Sequence, residues 1–136
     1  MEIHFFNTPS LLKNRNKLKE FIIRQFKKEK INRPGLNIIF CTDKELLKIN
    51  REYLQHDYFT DIITFDYPPD SGISSEIYIS TDRVWENAIQ FKSSKNTEIH
   101  RVIFHGILHI FGFSDKTPGD KTEMTRKENH LLQKYF

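Results

Sequence analysis

The segment from Thr97 to Phe111 constrains the fold most. Ile99, Val102, Ile103, Phe104, Ile107, Leu108, Ile110 and Phe111 make it apolar almost all round, and a helix of that kind is buried. Yet Arg101, His105 and His109 recur every four residues, so they form one polar stripe along it. Imidazoles inside a buried helix need partners, because an unpaired polar group costs free energy away from water.

His105 and His109 stand at i and i+4, so both rings project from one face about a turn apart and can reach one ion. Gly112 ends the helix, since glycine past a helix end enters the left-handed region and lets the chain reverse. Phe113 and Ser114 carry the chain round, and Asp115 can point back. The pattern H-x-x-x-H-x-x-G-x-x-D predicts a centre for one divalent ion per chain, zinc by expectation, held by His105, His109 and Asp115. Three protein ligands leave a position for water, the arrangement of catalytic rather than structural zinc. One class of zinc proteases has H-E-x-x-H-x-x-G-x-x-H. Here Asp115 replaces the last histidine and Gly106 the glutamate, which removes the carboxylate that would activate water in a protease.

Glycine inside a helix costs about 1 kcal/mol relative to alanine. Two readings of Gly106 stand equal: approach of a substrate or backbone to the ion, and close packing against a sheet. His100 lies on the opposite face from His109 and is a poor ligand. His56, in the polar loop Gln55-His56-Asp57, reads as an exposed loop residue, with a part in binding substrate as the alternative.

The rest of the chain reads as one domain over residues 1–136, with no repeat or linker. Residues 2–6 form a short strand, and Pro9 and Ser10 open a helix to about Lys30. Leu36 to Cys41 is a buried strand, and Thr42 with Glu45 makes a capping box for a helix to about Tyr53. Asp61 to Tyr67 and Glu76 to Ser80 are strands, paired as a hairpin across a Pro-Pro and Ser-Gly loop. Helices follow from Thr81 to about Phe91, from a cap at Asn96 or Thr97 to about Phe111, and from Thr117–Pro118 to Tyr135. The predicted class is α+β: a single mixed sheet of about four strands with about five helices packed on it, and the metal site at the end of a buried helix.

No apolar run approaches the roughly 20 residues of a membrane helix. The N-terminus lacks the pattern of a signal peptide, and Cys41, the only cysteine, excludes an internal disulfide. Cys41 ends an apolar run and reads as a small buried hydrophobe. The net charge is +3, but nine Lys and Arg residues fall between Lys13 and Arg33, opposed only by Glu20 and Glu29. That cluster is either a solvated helix face or a surface for a phosphate backbone.

At its histidines the chain resembles the YbeY family of ribosomal RNA maturation factors, characterised by H-G-x-L-H-L-x-G-(aromatic)-x-H. The match runs from His105 to Phe113 and includes Gly106, Leu108, His109 and Gly112. Asn50-Arg51-Glu52-Tyr53 with Thr60-Asp61-Ile62-Ile63-Thr64-Phe65 is similar to the family's N-x-x-Y…T-D-V-L-S-F stretch, and Glu76 to Ser80 to its G-D-I-x-I-S strand.

The resemblance implies a metal-dependent, single-strand-specific endoribonuclease acting in small-subunit ribosomal RNA 3′-end maturation and ribosome quality control. It implies zinc, a cytoplasmic location, and ribosomal RNA, the small subunit or its assembly factors as partners. On this reading His105, His109 and Arg101 are the candidate catalytic residues. The alternative is a ribosome-assembly RNA-binding factor whose metal is mainly structural. Two positions depart from the family: Asp115 stands where its last histidine is usual, and Leu54 where an arginine follows N-x-x-Y. Arg51, His56 and Arg101 are the residues able to compensate.

Overall fold

Period-two sorting of side chains organises the centre of the molecule. The computed structural model describes residues 1–136 and contains β1 (Glu2–Phe6), α1 (Arg15–Lys28), β2 (Gly35–Cys41), α2 (Asp43–Leu54), β3 (Ile62–Phe65), β4 (Ser75–Ser80), α3 (Thr81–Gln90), α4 (Lys95–Ile110) and α5 (Pro118–Tyr135). The four strands form one mixed sheet in the order β1-β2-β4-β3. β1 and β4 each run parallel to β2, and β3 runs antiparallel to β4, pairing Ile62 with Ile79 and Thr64 with Ile77. The α+β class, the mixed four-stranded sheet, the five helices and the β3–β4 hairpin agree with the sequence reading.

On one face of the sheet, Leu36, Ile38 and Phe40 of β2 and Ile77 and Ile79 of β4 join the main core with α1, α4 and α5. On the other, Cys41, Leu46 and Ile63 form a small cluster under α2, with Phe65 and Tyr78 against it. Neighbours along a strand face opposite ways, so Ile62 and Ile63 serve different layers. Helix α4 is the central one. Ile99, Ile103, Phe104 and Ile107 are each at most 1% exposed, as expected of a helix apolar nearly all round.

The start of α1 differs from the expectation. Pro9 to Leu12 closes a single turn, and the chain then passes through Asn14 at φ 54°, so the helix begins at Arg15. A left-handed residue cannot sit inside a right-handed helix. The cap of α4 is also corrected. Ser94, not Asn96 or Thr97, accepts the Thr97 amide at 2.9 Å. All three residues are capable caps. The choice follows from how α3 ends, with Lys92 left-handed and the Ser93 amide bonded back to Ala88 O. The capping box at Thr42 and Glu45 forms as read, and a second one joins Thr117 and Asp120 at the start of α5.

Candidate metal centre

Gly112, at φ 97°, turns the chain out of α4 with the Phe113 amide bonded to Leu108 O. That reversal brings Asp115 back over the end of the helix. His105 Nε2 and His109 Nε2 lie 2.9 Å apart, and Asp115 Oδ2 is 3.2 Å from the first and 3.4 Å from the second. The other ring nitrogens are occupied. His105 Nδ1 is 2.6 Å from Glu128 Oε2, and His109 Nδ1 is 3.0 Å from Phe113 O.

Those outer contacts define the tautomers. A carboxylate and a carbonyl only accept, so each Nδ1 carries the hydrogen and donates it. Both Nε2 atoms then turn bare lone pairs toward each other and toward a carboxylate oxygen. Three acceptors facing one point repel unless a cation lies between them. A tetrahedral ion with bonds of ~2.0–2.1 Å separates its ligand atoms by about 3.3 Å. The observed triangle is close to that, so the donor set fits a single divalent ion. His105, His109 and Asp115 are brought together as the sequence indicates.

Glu128, from α5, is a member of the site that the sequence reading missed. It is 6% exposed and belongs to a buried polar chain, with Arg101 Nη1 3.4 Å from its Oε1 and Arg101 Nε 3.7 Å from Glu98 Oε2. A signal existed. Glu128 falls in register with Met124, Leu131, Leu132 and Tyr135 on the buried stripe of α5, where a carboxylate demands a partner. Arg101 is spent on this chain, with Asn129 Oδ1 a further acceptor at 2.8 Å. It lines a neighbouring cleft rather than the one containing His109 and Asp115.

Burial by itself pulls the His105 imidazole pKa down. The Glu128 hydrogen bond, with the charges of Glu128, Asp61 and Asp115, outweighs it, and the net direction is up. For Asp61 the dominant effect is also burial, which lifts its pKa against the opposing pull of His105, its own backbone amide and Asn87. Asp61 lines both clefts, and it too went unread as a site residue.

The metal cleft has a volume of about 650 Å³ and lies between the end of α4, strand β3 and the loop after α2. No residue of α1 lines it, so the basic helix does not face this cleft. Gly106 has a packing reason. A Cβ there would lie 2.8 Å from Ile62 Cδ1 and 2.9 Å from Ile77 Cδ1, so glycine lets α4 sit directly on the sheet. Of the candidates for the position of Leu54, Arg51 is ion-paired to Asp57, while His56 is exposed and lines the cleft.

A mixed sheet carrying a buried helix with two histidines and a carboxylate after its glycine turn defines a small α+β protein with a site able to hold a metal ion. The family model described as Endoribonuclease YbeY matches residues 6–136, and the chain belongs to that family. An Endoribonuclease YbeY of Cytophaga hutchinsonii is 45% identical over 133 residues, covering 96% of this chain and 93% of the relative. One of Parabacteroides distasonis is 50% identical over 97 residues, covering 71% and 68%. The solution structure of TM1509 from Thermotoga maritima superposes with a TM-score of 0.67 at 28% identity, covering 98% of this chain and 88% of that one.

Proposed function

We propose that residues 1–136 are one metal-dependent hydrolase domain, a single-strand-specific endoribonuclease of small-subunit ribosomal RNA 3′-end maturation and ribosome quality control. The observation that carries this is the convergence of His105 Nε2, His109 Nε2 and Asp115 Oδ2 at the edge of an open cleft, in a chain of the YbeY family. Zinc is the ion proposed, since two imidazoles and a carboxylate suit it. When bound, such an ion supplies Lewis-acid polarisation of a phosphate oxygen and an acidified water.

The chain's own residues do the rest. His105 and His109 present Nε2 to the ion, and Glu128 and the Phe113 carbonyl hold the rings in place. Arg101 enters this scheme as a positioning residue, because it braces Glu128 rather than reaching the cleft. Asp61 lines the same cleft as His105, its pKa is raised by burial, and on this reading it serves as the proton acceptor. The partners on this reading are ribosomal RNA and the small subunit with its assembly factors, in the cytoplasm. No helix is long and apolar enough to cross a membrane.

A second reading has its own observation. An ion on these donors ties the end of α4 to Asp115, in the turn before α5, so a mainly structural metal in an RNA-binding assembly factor would use the same geometry. Metal content, thermal unfolding and cleavage of single-stranded ribosomal RNA, measured on wild type, His109→Ala and Asp115→Ala, decide between them. The nuclease reading expects about one zinc per chain, lost with cleavage in variants that remain folded. RNA left intact by metal-loaded wild type rejects it.

A further inference from the structure

The loop joining α2 to β3 presents two rings at the mouth of the metal cleft. His56 and Tyr58 are stacked, with centroids 5.2 Å apart and planes at 19°, and the Tyr58 hydroxyl lies 3.1 Å from His56 Nδ1. Both line the cleft that holds His105, His109 and Asp115. Tyr58 is 57% exposed and the adjacent Phe59 51%, a dense apolar display for a surface loop.

The loop is held from beneath. Buried Asn50 accepts the His56 amide on its carbonyl at 3.1 Å and donates Nδ2 to Tyr58 O at 2.9 Å. Gln55 turns the chain at φ 56°, and the Arg51–Asp57 ion pair spans the same bend. The rings are therefore ordered before any ligand arrives, which lowers the entropy cost of binding on them.

The charge of the cleft says how a strand would be gripped. Lys116 is the one Lys or Arg along its wall, whereas Asp61, Asp66 and Asp115 are all there, and Arg33 takes both oxygens of Asp66 from outside. Phosphate contacts alone have little to work with. An aromatic face serves a polyanion without needing a cation, because a nucleobase stacks on it whatever its sequence.

We propose that His56 and Tyr58 form a base-stacking platform that seats a nucleobase of single-stranded RNA at the entrance of the metal cleft. The inference rests on the nuclease reading for its choice of ligand, but it concerns binding, and binding is read separately from cleavage.

The test measures affinity for a short single-stranded RNA carrying a fluorescent adenine analogue, with metal content and thermal unfolding followed on the same samples. Tyr58→Ala is expected to weaken binding about tenfold or more and to abolish quenching of the analogue, while Tyr58→Phe retains both. His56→Ala gives a partial loss, and metal content stays unchanged in all three. Equal affinity of Tyr58→Ala and wild type, or equal affinity for a strand with abasic sites, overturns the platform. Cleavage by wild type in that case leaves the nuclease reading standing. Ring-dependent binding without any cleavage supports the platform and rejects the nuclease reading.

Discussion

Glu128 Oε2 on α5 lies 2.6 Å from His105 Nδ1 on α4, and the Glu128 side chain is almost wholly buried. The contact fixes which imidazole nitrogen is free for an ion. Glu128→Gln keeps a hydrogen-bond acceptor but removes the charge, and is expected to weaken metal binding by about ten- to a hundredfold. Glu128→Ala also takes one partner from Arg101, which keeps Glu98 and Asn129, and leaves His105 Nδ1 unpaired, a loss of about 1–3 kcal/mol. Competition with a metal-binding dye, together with urea unfolding, separates the two effects.

Gly106→Ala sets a gain against a loss. Helix propensity favours alanine by about 1 kcal/mol, but the new methyl meets Ile77 Cγ2 at 3.1 Å as well as two terminal methyls at 2.8 and 2.9 Å. Overpacking of this kind costs about 1–3 kcal/mol. A small net destabilisation, about 1 kcal/mol, is the expected result in urea unfolding. Gly106→Glu forces a carboxylate between α4 and the sheet, so introducing the protease glutamate yields a protein that fails to fold rather than a protease.

Cys41 is expected to be inert in the native state. Burial, followed by the charges of Glu45, Asp43 and Asp82, pushes its thiol up to about 12. The thiolate is the reactive form, so at pH 8 the folded protein should react with a thiol reagent roughly a thousandfold more slowly than the urea-unfolded chain. The ratio of the two rates is the measurement. Equal rates would place Cys41 at the surface.

His100 makes the fold sensitive to acid. Burial lowers its pKa, against the Asn96 carbonyl hydrogen bond, and its Nε2 has no partner. Its ring stacks on Tyr135. The unfolded chain therefore takes up a proton near its ordinary value of about 6.5 while the folded chain does not. The stability that His100 contributes is present above that pH and declines as pH falls toward the lower folded value. His105 has the opposite sign in the metal-free protein, because its folded pKa is raised. Unfolding of His100→Phe and wild type, both stripped of metal, across about pH 7 to 5 should show a shallower loss in the variant.

The candidate ligand cluster was legible because its geometry is local. An i, i+4 spacing on a helix and a glycine reversal are set by backbone dihedrals within a dozen residues, so His105, His109 and Asp115 can be placed without knowing what surrounds them. The apolar run of β2 and the β-branched and aromatic residues of β3 are local in the same sense, and with the helical segments between the strands the α+β class was readable. The start of α1 and the cap of α4 were less so, because several adjacent residues can cap and the neighbouring turn chooses among them.

What only the tertiary structure decided depends on elements distant in the chain. Glu128 reaches His105 across 23 residues of sequence because α5 packs along α4. Gly106 owes its place to two isoleucines on β3 and β4, and the basic face of α1 lies away from the cleft because its apolar face is buried with α4 and α5. A sequence displays periodicity within one element. Which faces meet is settled when the elements bury their apolar surfaces together, and that packing brought Glu128 to His105 and the His56–Tyr58 pair to the cleft.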